Sequence, residues 1–179
     1  EDLFIYGHSF GGNVLANFLL RKQPNYLSGA ILSSAWFELA KQPNILEFAM
    51  ANVMNKIAPG FTQNSKIDAN HLSNEPSVCE AYVTDPLNHD KISVRLFSDF
   101  YAAGKWAIKN ADKLSVETLL VHGADDAIIS SHGTVEFTEN SKGLAKCKIF
   151  ENTKHEPHND KTHETLFAYT LSWLESRLD

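Results

Sequence analysis

The chain lacks the features that define several specialised classes of protein. Its two cysteines, Cys79 and Cys147, lie far apart in segments of different kinds, which argues against a disulfide scaffold. The net charge is −6 and lysine and arginine form no cluster, so the sequence offers no electrostatic footprint for nucleic acid or for an anionic membrane. No apolar run is long enough to span a bilayer. Internal repeats and low-complexity segments are also absent.

The first residues contain neither an initiating methionine nor a signal peptide. The chain starts at Glu1, directly before a segment that reads as a central strand. We therefore expect it to be a piece of a longer protein.

What is present is ordinary for a soluble globular domain. Hydrophobic residues make up 43% of the chain and charged residues 21%. A length of 179 residues suits one domain and allows a substantial buried core. Composition alone therefore leaves the function open.

A Gly-x-Ser-x-Gly motif near the N-terminus is the most informative stretch. The apolar run Leu3–Tyr6 predicts a short buried strand, and apolar residues at helical spacing follow the motif. This places Ser9 on a sharp strand-to-helix turn, a nucleophile elbow. Gly7 and Gly11 are expected where the two backbones approach too closely for a side chain. The amide of Phe10 would lie at a helix N-terminus and could donate to an oxyanion.

The rest of the chain alternates between strand and helix on either side of a long insertion. Strands are predicted at 29–34, 118–122 and 146–150, and a helix at 132–141. The chain ends in an amphipathic helix whose apolar stripe is formed by Phe167, Leu171, Leu174 and Leu178, with Trp173 beside it. This order predicts an α/β fold with a mostly parallel sheet and flanking helices. The core would comprise residues 1–34 and 111–179.

The segment 35–110 lacks strand signals and is expected to form a helical cap. One helix is predicted by an apolar stripe from Leu46 to Ile57 that stops at Pro59, and another by Ile92, Leu96, Phe100 and Ala103. The stretch from Thr62 to Pro86 is polar and expected to be rich in loops. The apolar stripe allows two interpretations: simple packing against the sheet, or a lid that covers an apolar pocket.

Ser9 needs a base and an acid if it is a nucleophile. A histidine must take the serine proton, and a carboxylate must hold that histidine in the correct tautomer. Such groups cluster at the carboxyl ends of parallel strands. Asp125 and Asp126 follow one predicted strand and His155 follows the next. The order serine, aspartate, histidine is the one that an α/β-hydrolase requires, and either aspartate could be the acid.

The other histidines receive different interpretations. His8 is assigned to structure, since we expect it to point the other way across the elbow. His122 lies within a buried strand and is expected to be a hydrogen-bonded core group. His155, His158 and His163 could be metal ligands, but their spacing does not match a zinc protease and no cysteine supplements them. We expect no metal and no cofactor.

Taken together, these motifs resemble a known enzyme family. They are Gly7-His8-Ser9-Phe10-Gly11-Gly12, Thr84-Asp85-Pro86-Leu87, Leu120-Val121-His122-Gly123-Ala124-Asp125-Asp126, His155-Glu156-Pro157-His158-Asn159-Asp160 and Ser172-Trp173-Leu174. In this order they resemble the monoacylglycerol lipase and lysophospholipase branch of the α/β-hydrolases, which includes S33-type serine aminopeptidases. The resemblance implies that Asp126 is the acid and His155 the base, and that 35–110 is the cap.

The resemblance also implies an activity and a location. It implies a serine esterase that cleaves single-chain acyl esters of the monoacylglycerol or lysophospholipid type through an acyl-enzyme. Such enzymes are cytoplasmic or peripheral to a membrane, with membrane contact through the cap. The family's first strands and the loop with the second oxyanion donor would precede Glu1. Phe10 stands where methionine is more usual, which matters little because its amide does the work.

Two other functions stay open at this stage. One is a peptidase for short peptides, which would need a carboxylate near the site to bind a free amino terminus; Glu38, Glu47 and Asp68 are candidates. The other is a non-catalytic binding module that retains the fold. The sequence leaves the oligomeric state, the acyl length and the head group open.

Overall fold

The computed structural model describes residues 2–65 and 67–178. The strands are β1 (Phe4–His8), β2 (Gly29–Ser33), β3 (Thr62–Asn64), β4 (Lys91–Ser93), β5 (Thr118–Gly123) and β6 (Ala145–Phe150). The helices are α1 (Ser9–Lys22), α2 (Ile45–Ile57), α3 (Pro76–Thr84), α4 (Val94–Lys109), α5 (Ser131–Asn140) and α6 (His163–Glu175). Single 3₁₀ turns lie at Ala69–His71 and Ala111–Lys113.

A parallel sheet of four strands organises the chain. Its order is β1-β2-β5-β6, and each neighbouring pair is parallel. Every residue of β2 and β5 is buried, as expected for strands covered by helices on both faces. The α/β architecture with a parallel sheet is therefore confirmed, and the four predicted strands lie within two residues of their expected bounds.

Helices cover the two faces of the sheet. On one face, α1 contributes Leu15, Ala16, Leu19 and Leu20 to a cluster that also contains Leu32 and Leu120. On the other face, Leu166 and Trp173 of α6 pack with Ile31, Leu119, Val121 and Phe150.

The predicted apolar stripe of α6 was wrong. Phe167, Leu171 and Leu178 are about half exposed, whereas Leu166 and Trp173 face the sheet. The helix carries apolar residues around much of its circumference, so periodicity alone did not single out the inner face. The ring of Trp173 meets Phe4 of β1 edge-on, at 6.3 Å between centroids, and this contact fixes the rotation of the helix.

The segment 35–110 contains more structure than its sequence indicated. The strands β3 and β4 pair antiparallel, and α3 lies within a stretch that we expected to be rich in loops. The helix α4 was predicted, but its Ala107 and Ile108 belong to the same buried cluster as α1. Part of the predicted cap therefore packs as one of the helices that flank the sheet. The exact limits of the cap stay a prediction.

The apolar stripe of α2 follows neither of its two interpretations. Leu46, Met50, Val53 and Ile57 are each more than half exposed, so the stripe does not pack against the sheet. The helix instead leans on α4, where Phe48 lies 5.4 Å from the ring of Tyr101. None of the described residues that line the cavity beside Ser9 comes from α2.

Candidate active site

The turn between β1 and α1 has the geometry of a nucleophile elbow. Ser9 has a φ of 52°, a conformation that a residue with a side chain adopts only when its surroundings hold it there. A Cβ on Gly7 would lie 2.7 Å from the carbonyl oxygen of Gly11, so only glycine fits. The expectation for Gly11 was wrong, since a Cβ there meets open space within the described residues. The second tight position is Gly12, where a Cβ would lie 2.7 Å from that of Ala35.

The structure brings together the three side chains that were expected to act together. Ser9 follows β1, Asp126 follows β5 and His155 follows β6, so all three lie at the carboxyl edge of the sheet. Ser9 Oγ lies 2.9 Å from His155 Nε2, and His155 Nδ1 lies 2.7 Å from Asp126 Oδ2. This is the arrangement in which a histidine takes a serine proton and a carboxylate stabilises the resulting imidazolium.

Asp126 and Asp125 differ completely in their surroundings. Asp126 is buried, and its Oδ1 accepts hydrogen bonds of 2.9 Å from the amides of Ile128 and Ile129. Asp125 is exposed, and its backbone amide donates to the carbonyl of Thr153. The geometry therefore selects Asp126 as the partner of His155.

Burial raises the pKa of Asp126, but hydrogen bonds from His122 and His155 outweigh this effect. The pKa of Asp126 is held well below its ordinary value, and the group is a carboxylate at neutral pH. A carboxylate at this position accepts the Nδ1 proton of His155 and leaves Nε2 free to act on Ser9.

The expected orientation of His8 was wrong. Its ring lies 5.1 Å from the ring of His155 and 4.7 Å from that of His158, on the same side of the elbow as the catalytic candidates. Burial, then the nearby His155 and His158, lowers the pKa of His8 to about 3. Burial also lowers the pKa of His158. Both rings are therefore neutral neighbours of His155 at physiological pH.

The loop that carries His155 is held by the segment around residues 71–74. His155 and Glu156 donate their backbone amides to the carbonyls of His71 and Leu72. Asp160 is fully buried and accepts from the amides of Lys154, Lys161 and Asn74 and from the Asn74 side chain. These bonds fix the backbone on both sides of His155.

The amide of Phe10 lies in the first turn of α1, where backbone N–H groups have no partner within the helix. It follows Ser9 directly and is placed to donate to an oxyanion formed beside it. The Phe10 side chain stacks on Phe100 at 3.6 Å between ring centroids. The amide stays our predicted oxyanion donor.

A cavity of about 450 Å³ opens beside Ser9 and His155. Apolar side chains form much of its wall, among them Trp36, Leu96, Phe97, Ile128 and Ile129. Lys41, His71, His89, Lys91 and Asp68 supply polar groups. The size and mixed lining suit a small molecule with an apolar chain and a polar end.

Among the three acidic candidates for binding an amino terminus, only Asp68 lines this cavity. Glu38 faces His132, 3.3 Å away, and Glu47 caps the N-terminus of α2.

Among the described residues, no three His, Cys, Asp or Glu side chains group in a way that could hold a metal ion. No helix in the described part of the chain is long and apolar enough to cross a membrane.

Sequence reasoning missed two features of the site. It assigned His122 to the core, which is right, but not to Asp126, whose Oδ2 lies 3.1 Å from His122 Nε2. It also missed that Asp160 anchors the His155 loop. The i, i+4 spacing of His122 and Asp126 was visible, but that spacing implies contact only within a helix, whereas His122 lies in the strand β5, next to its last residue.

A parallel sheet with serine, aspartate and histidine in this order at its carboxyl edge defines an α/β-hydrolase. The family model described as "Serine aminopeptidase, S33" matches residues 1–162, and the chain belongs to this family.

Individual relatives agree with this assignment. The chain is 29% identical to an uncharacterised abhydrolase domain-containing protein of Dictyostelium discoideum and covers 19% of that protein with 98% of its own length. It is 28% identical to a putative monoglyceride lipase of Schizosaccharomyces pombe, covering 44% of that protein with 90% of its own length. The crystal structure of Paleococcus ferrophilus monoacylglycerol lipase superposes with a TM-score of 0.90 at 28% identity, over 99% of this chain and 70% of that one. The chain thus spans less than half the length of these two curated relatives.

Proposed function

We propose that the protein containing this chain is a serine hydrolase that cleaves carboxylic esters of single-chain acyl lipids, of the monoacylglycerol or lysophospholipid type. The observation that carries the proposal is the continuous chain of hydrogen bonds from Ser9 through His155 to Asp126, which opens into a largely apolar cavity. The names of the relatives, a putative monoglyceride lipase and a monoacylglycerol lipase, support the same substrate class.

In the proposed mechanism, Ser9 Oγ attacks the ester carbonyl while His155 Nε2 takes its proton. Asp126 stabilises the imidazolium, and the Phe10 amide donates to the oxyanion. Protonated His155 then gives its proton to the leaving alcohol, which leaves an acyl group on Ser9. Water, deprotonated by His155, releases the fatty acid and restores the serine.

The test is labelling with a fluorophosphonate together with hydrolysis of p-nitrophenyl esters by the full-length protein. Replacing Ser9 by alanine should abolish labelling and lower kcat at least about a thousandfold, because triad members contribute that much in comparable enzymes. If Ser9→Ala retained ester hydrolysis within tenfold of the parent, the proposed mechanism would be wrong.

A peptidase is the second candidate, and the name of the family model is the observation that favours it. A free amino terminus would need a carboxylate in the cavity, and Asp68 is available there. Lysines 41 and 91 in the same wall repel an ammonium group and favour an ester. Aminoacyl-naphthylamides are the deciding substrates, since turnover of these that exceeds turnover of esters would favour the peptidase. The third possibility, a non-catalytic binding module, predicts no fluorophosphonate label at all.

Contact with a membrane surface through the cap is part of the proposal. The outer side of α2 exposes Ile45, Leu46, Met50, Val53 and Ile57. Exposed apolar residues on a surface helix suit contact with a lipid interface.

A further inference from the structure

His122 is a buried imidazole behind the triad that the mechanism above does not use. Its side chain is fully buried at the end of β5. Nε2 lies 3.1 Å from Asp126 Oδ2 and 3.3 Å from the carbonyl oxygen of Ile129. Both of these atoms can only accept hydrogen bonds, so Nε2 must carry a proton.

The other nitrogen of the ring is also engaged. Nδ1 lies 2.8 Å from Thr134 Oγ1, on α5. In a neutral ring with its proton on Nε2, Nδ1 accepts the hydroxyl proton of Thr134. The two acceptors at Nε2 therefore set the tautomer of His122, and the Thr134 hydroxyl is compatible with it.

This ring completes the hydrogen bonding of the Asp126 carboxylate. The amides of Ile128 and Ile129 donate to Oδ1, while His155 and His122 donate to Oδ2. Without His122, Oδ2 would keep one donor and could rotate away from His155 Nδ1. A buried charged acceptor that loses a donor reorients or gains a proton, and either change weakens its hold on His155.

We propose that His122, held by Thr134, is a positioning residue that fixes Asp126 Oδ2 in the orientation that binds His155. This inference rests on the proposed catalytic function of the Ser9 site. The described residues that line the cavity do not include His122, so its effect should fall on kcat and spare KM.

The experiment compares two replacements of His122 in the full-length protein. His122→Leu fills the space without a donor, whereas His122→Gln places an amide N–H near the position of Nε2. We expect His122→Leu to lower kcat for a p-nitrophenyl ester about tenfold to a hundredfold, the effect of losing a hydrogen bond to a charged group. We expect His122→Gln to recover most of the loss, with KM within about twofold for both variants.

A second pair of variants covers the case in which His122→Leu does not fold. Thr134→Val removes the hydroxyl behind His122 and should lower kcat severalfold. Thr170→Val is its matched control, because Thr170 Oγ1 is buried and has no hydrogen-bond partner among the described residues. Equal kcat for these two variants would overturn the proposal. So would equal kcat for His122→Leu and His122→Gln, or a loss that appears only in KM.

The tautomer of His122 is measurable without any activity. Nitrogen-15 NMR should find the proton on Nε2, and a proton on Nδ1 alone would overturn the proposal. Failure of the proposed function is detected separately, by hydrolysis that survives Ser9→Ala. If Ser9→Ala lowered kcat as expected but His122→Leu left kcat unchanged, the positioning role of His122 would be refuted and the proposed function would stand.

Discussion

Asp125 and Asp126 are adjacent carboxylates, yet only one of them is buried against a histidine. Replacing Asp126 by asparagine keeps the shape but removes the charge that stabilises the His155 imidazolium. We expect Asp126→Asn to lower kcat on the order of a thousandfold to ten-thousandfold. Asp125→Asn is the matched control and should change kcat less than about threefold, since an exposed side chain contributes little. A larger loss at Asp125 would overturn the assignment of the acid.

The lowered pKa of His8 predicts how the free energy of unfolding depends on pH. Its pKa of about 3 in the folded state lies below its ordinary value of 6.5. Between these values the unfolded chain binds a proton that the folded protein excludes, so stability falls as pH is lowered from 6.5 towards 3. The groups that face His8 are His155, His158, Asp126 and Ser33.

The measurement is the urea midpoint of unfolding at several pH values. His8→Gln cannot titrate, so its midpoint should fall less steeply than that of the parent between pH 6.5 and 3. The Asp126 carboxylate also makes stability fall as pH is lowered, but at lower pH than His8. Its contribution to stability is complete above its unfolded pKa and is lost as pH falls through its lower folded pKa. Parallel curves for parent and variant would show that His8 is already charged in the folded protein.

The sequence predicted that Ser9, Asp126 and His155 lie together, and the structure has them within hydrogen-bond distance, whereas their catalytic roles stay a prediction. Ser9 follows β1 directly, Asp126 lies three residues after the end of β5 and His155 five residues after the end of β6, so the order of strands placed them at one edge. The neighbours of these residues were harder to predict. The direction of the His8 ring depends on His158 and Ser33, which reach it only in the folded molecule. Family resemblance, not spacing, distinguished Asp126 from Asp125.

At the scale of elements, the loop between β6 and α6 is the part on which the site depends. Asp160 accepts hydrogen bonds that hold Lys154 on one side of His155 and Asn74 in the facing segment. Asp160→Asn replaces an acceptor by an amide N–H that faces other donors, which is destabilising in a buried site. We expect a loss of about 1–3 kcal/mol in the free energy of unfolding and a lower kcat.

Asp99→Asn is the control for Asp160→Asn. The Asp99 side chain is 58% exposed and pairs with Arg95 one helical turn away, an interaction of small energy. Thermal denaturation and ester turnover should both be nearly unchanged in this variant. If Asp160→Asn behaved like Asp99→Asn, the loop would not depend on its buried carboxylate.

Helices and strands were predicted correctly from the sequence where one hydrophobic pattern was clear. The buried strands were found because their apolar runs have the length of strands and are bounded by turn residues, which favours a strand over a helix. The helix α3 was missed because polar residues surround it, and β3 and β4 were missed because each has only three residues. In α6 apolar residues lie on two faces, and the sequence does not show which face packs on the sheet. In the structure that face is the one whose Trp173 contacts Phe4 of β1.

At the scale of the whole molecule, the cavity sets an expectation for the substrate. Its wall includes Trp36, Leu96 and Phe97, and none of its described residues belongs to α2. Each buried methylene of an acyl chain adds roughly 0.8 kcal/mol until the space is filled. The kcat/KM on p-nitrophenyl esters should therefore rise from acetate to longer chains and then level off.

A pair of variants tests whether this cavity is responsible. Leu96→Trp narrows the cavity and should shift the optimum to shorter esters. Leu87→Trp, at a residue that is 88% exposed, should leave the optimum unchanged. A steady fall of kcat/KM from acetate onward in the parent would indicate that the acyl chain binds elsewhere.

The hydrogen bonds that the amides of His155 and Glu156 donate to the carbonyls of His71 and Leu72 also limit how the site can be entered. An outward movement of the whole segment 35–110 would either break these bonds or carry the His155 imidazole away from Ser9. Access therefore has to be local. The segments around β3 and β4 contribute Ser65, Lys91 and Ile92 to the cavity wall and take part in neither of these bonds. An opening confined to these segments would admit a substrate while the hydrogen bonds that hold His155 beside Ser9 stay formed.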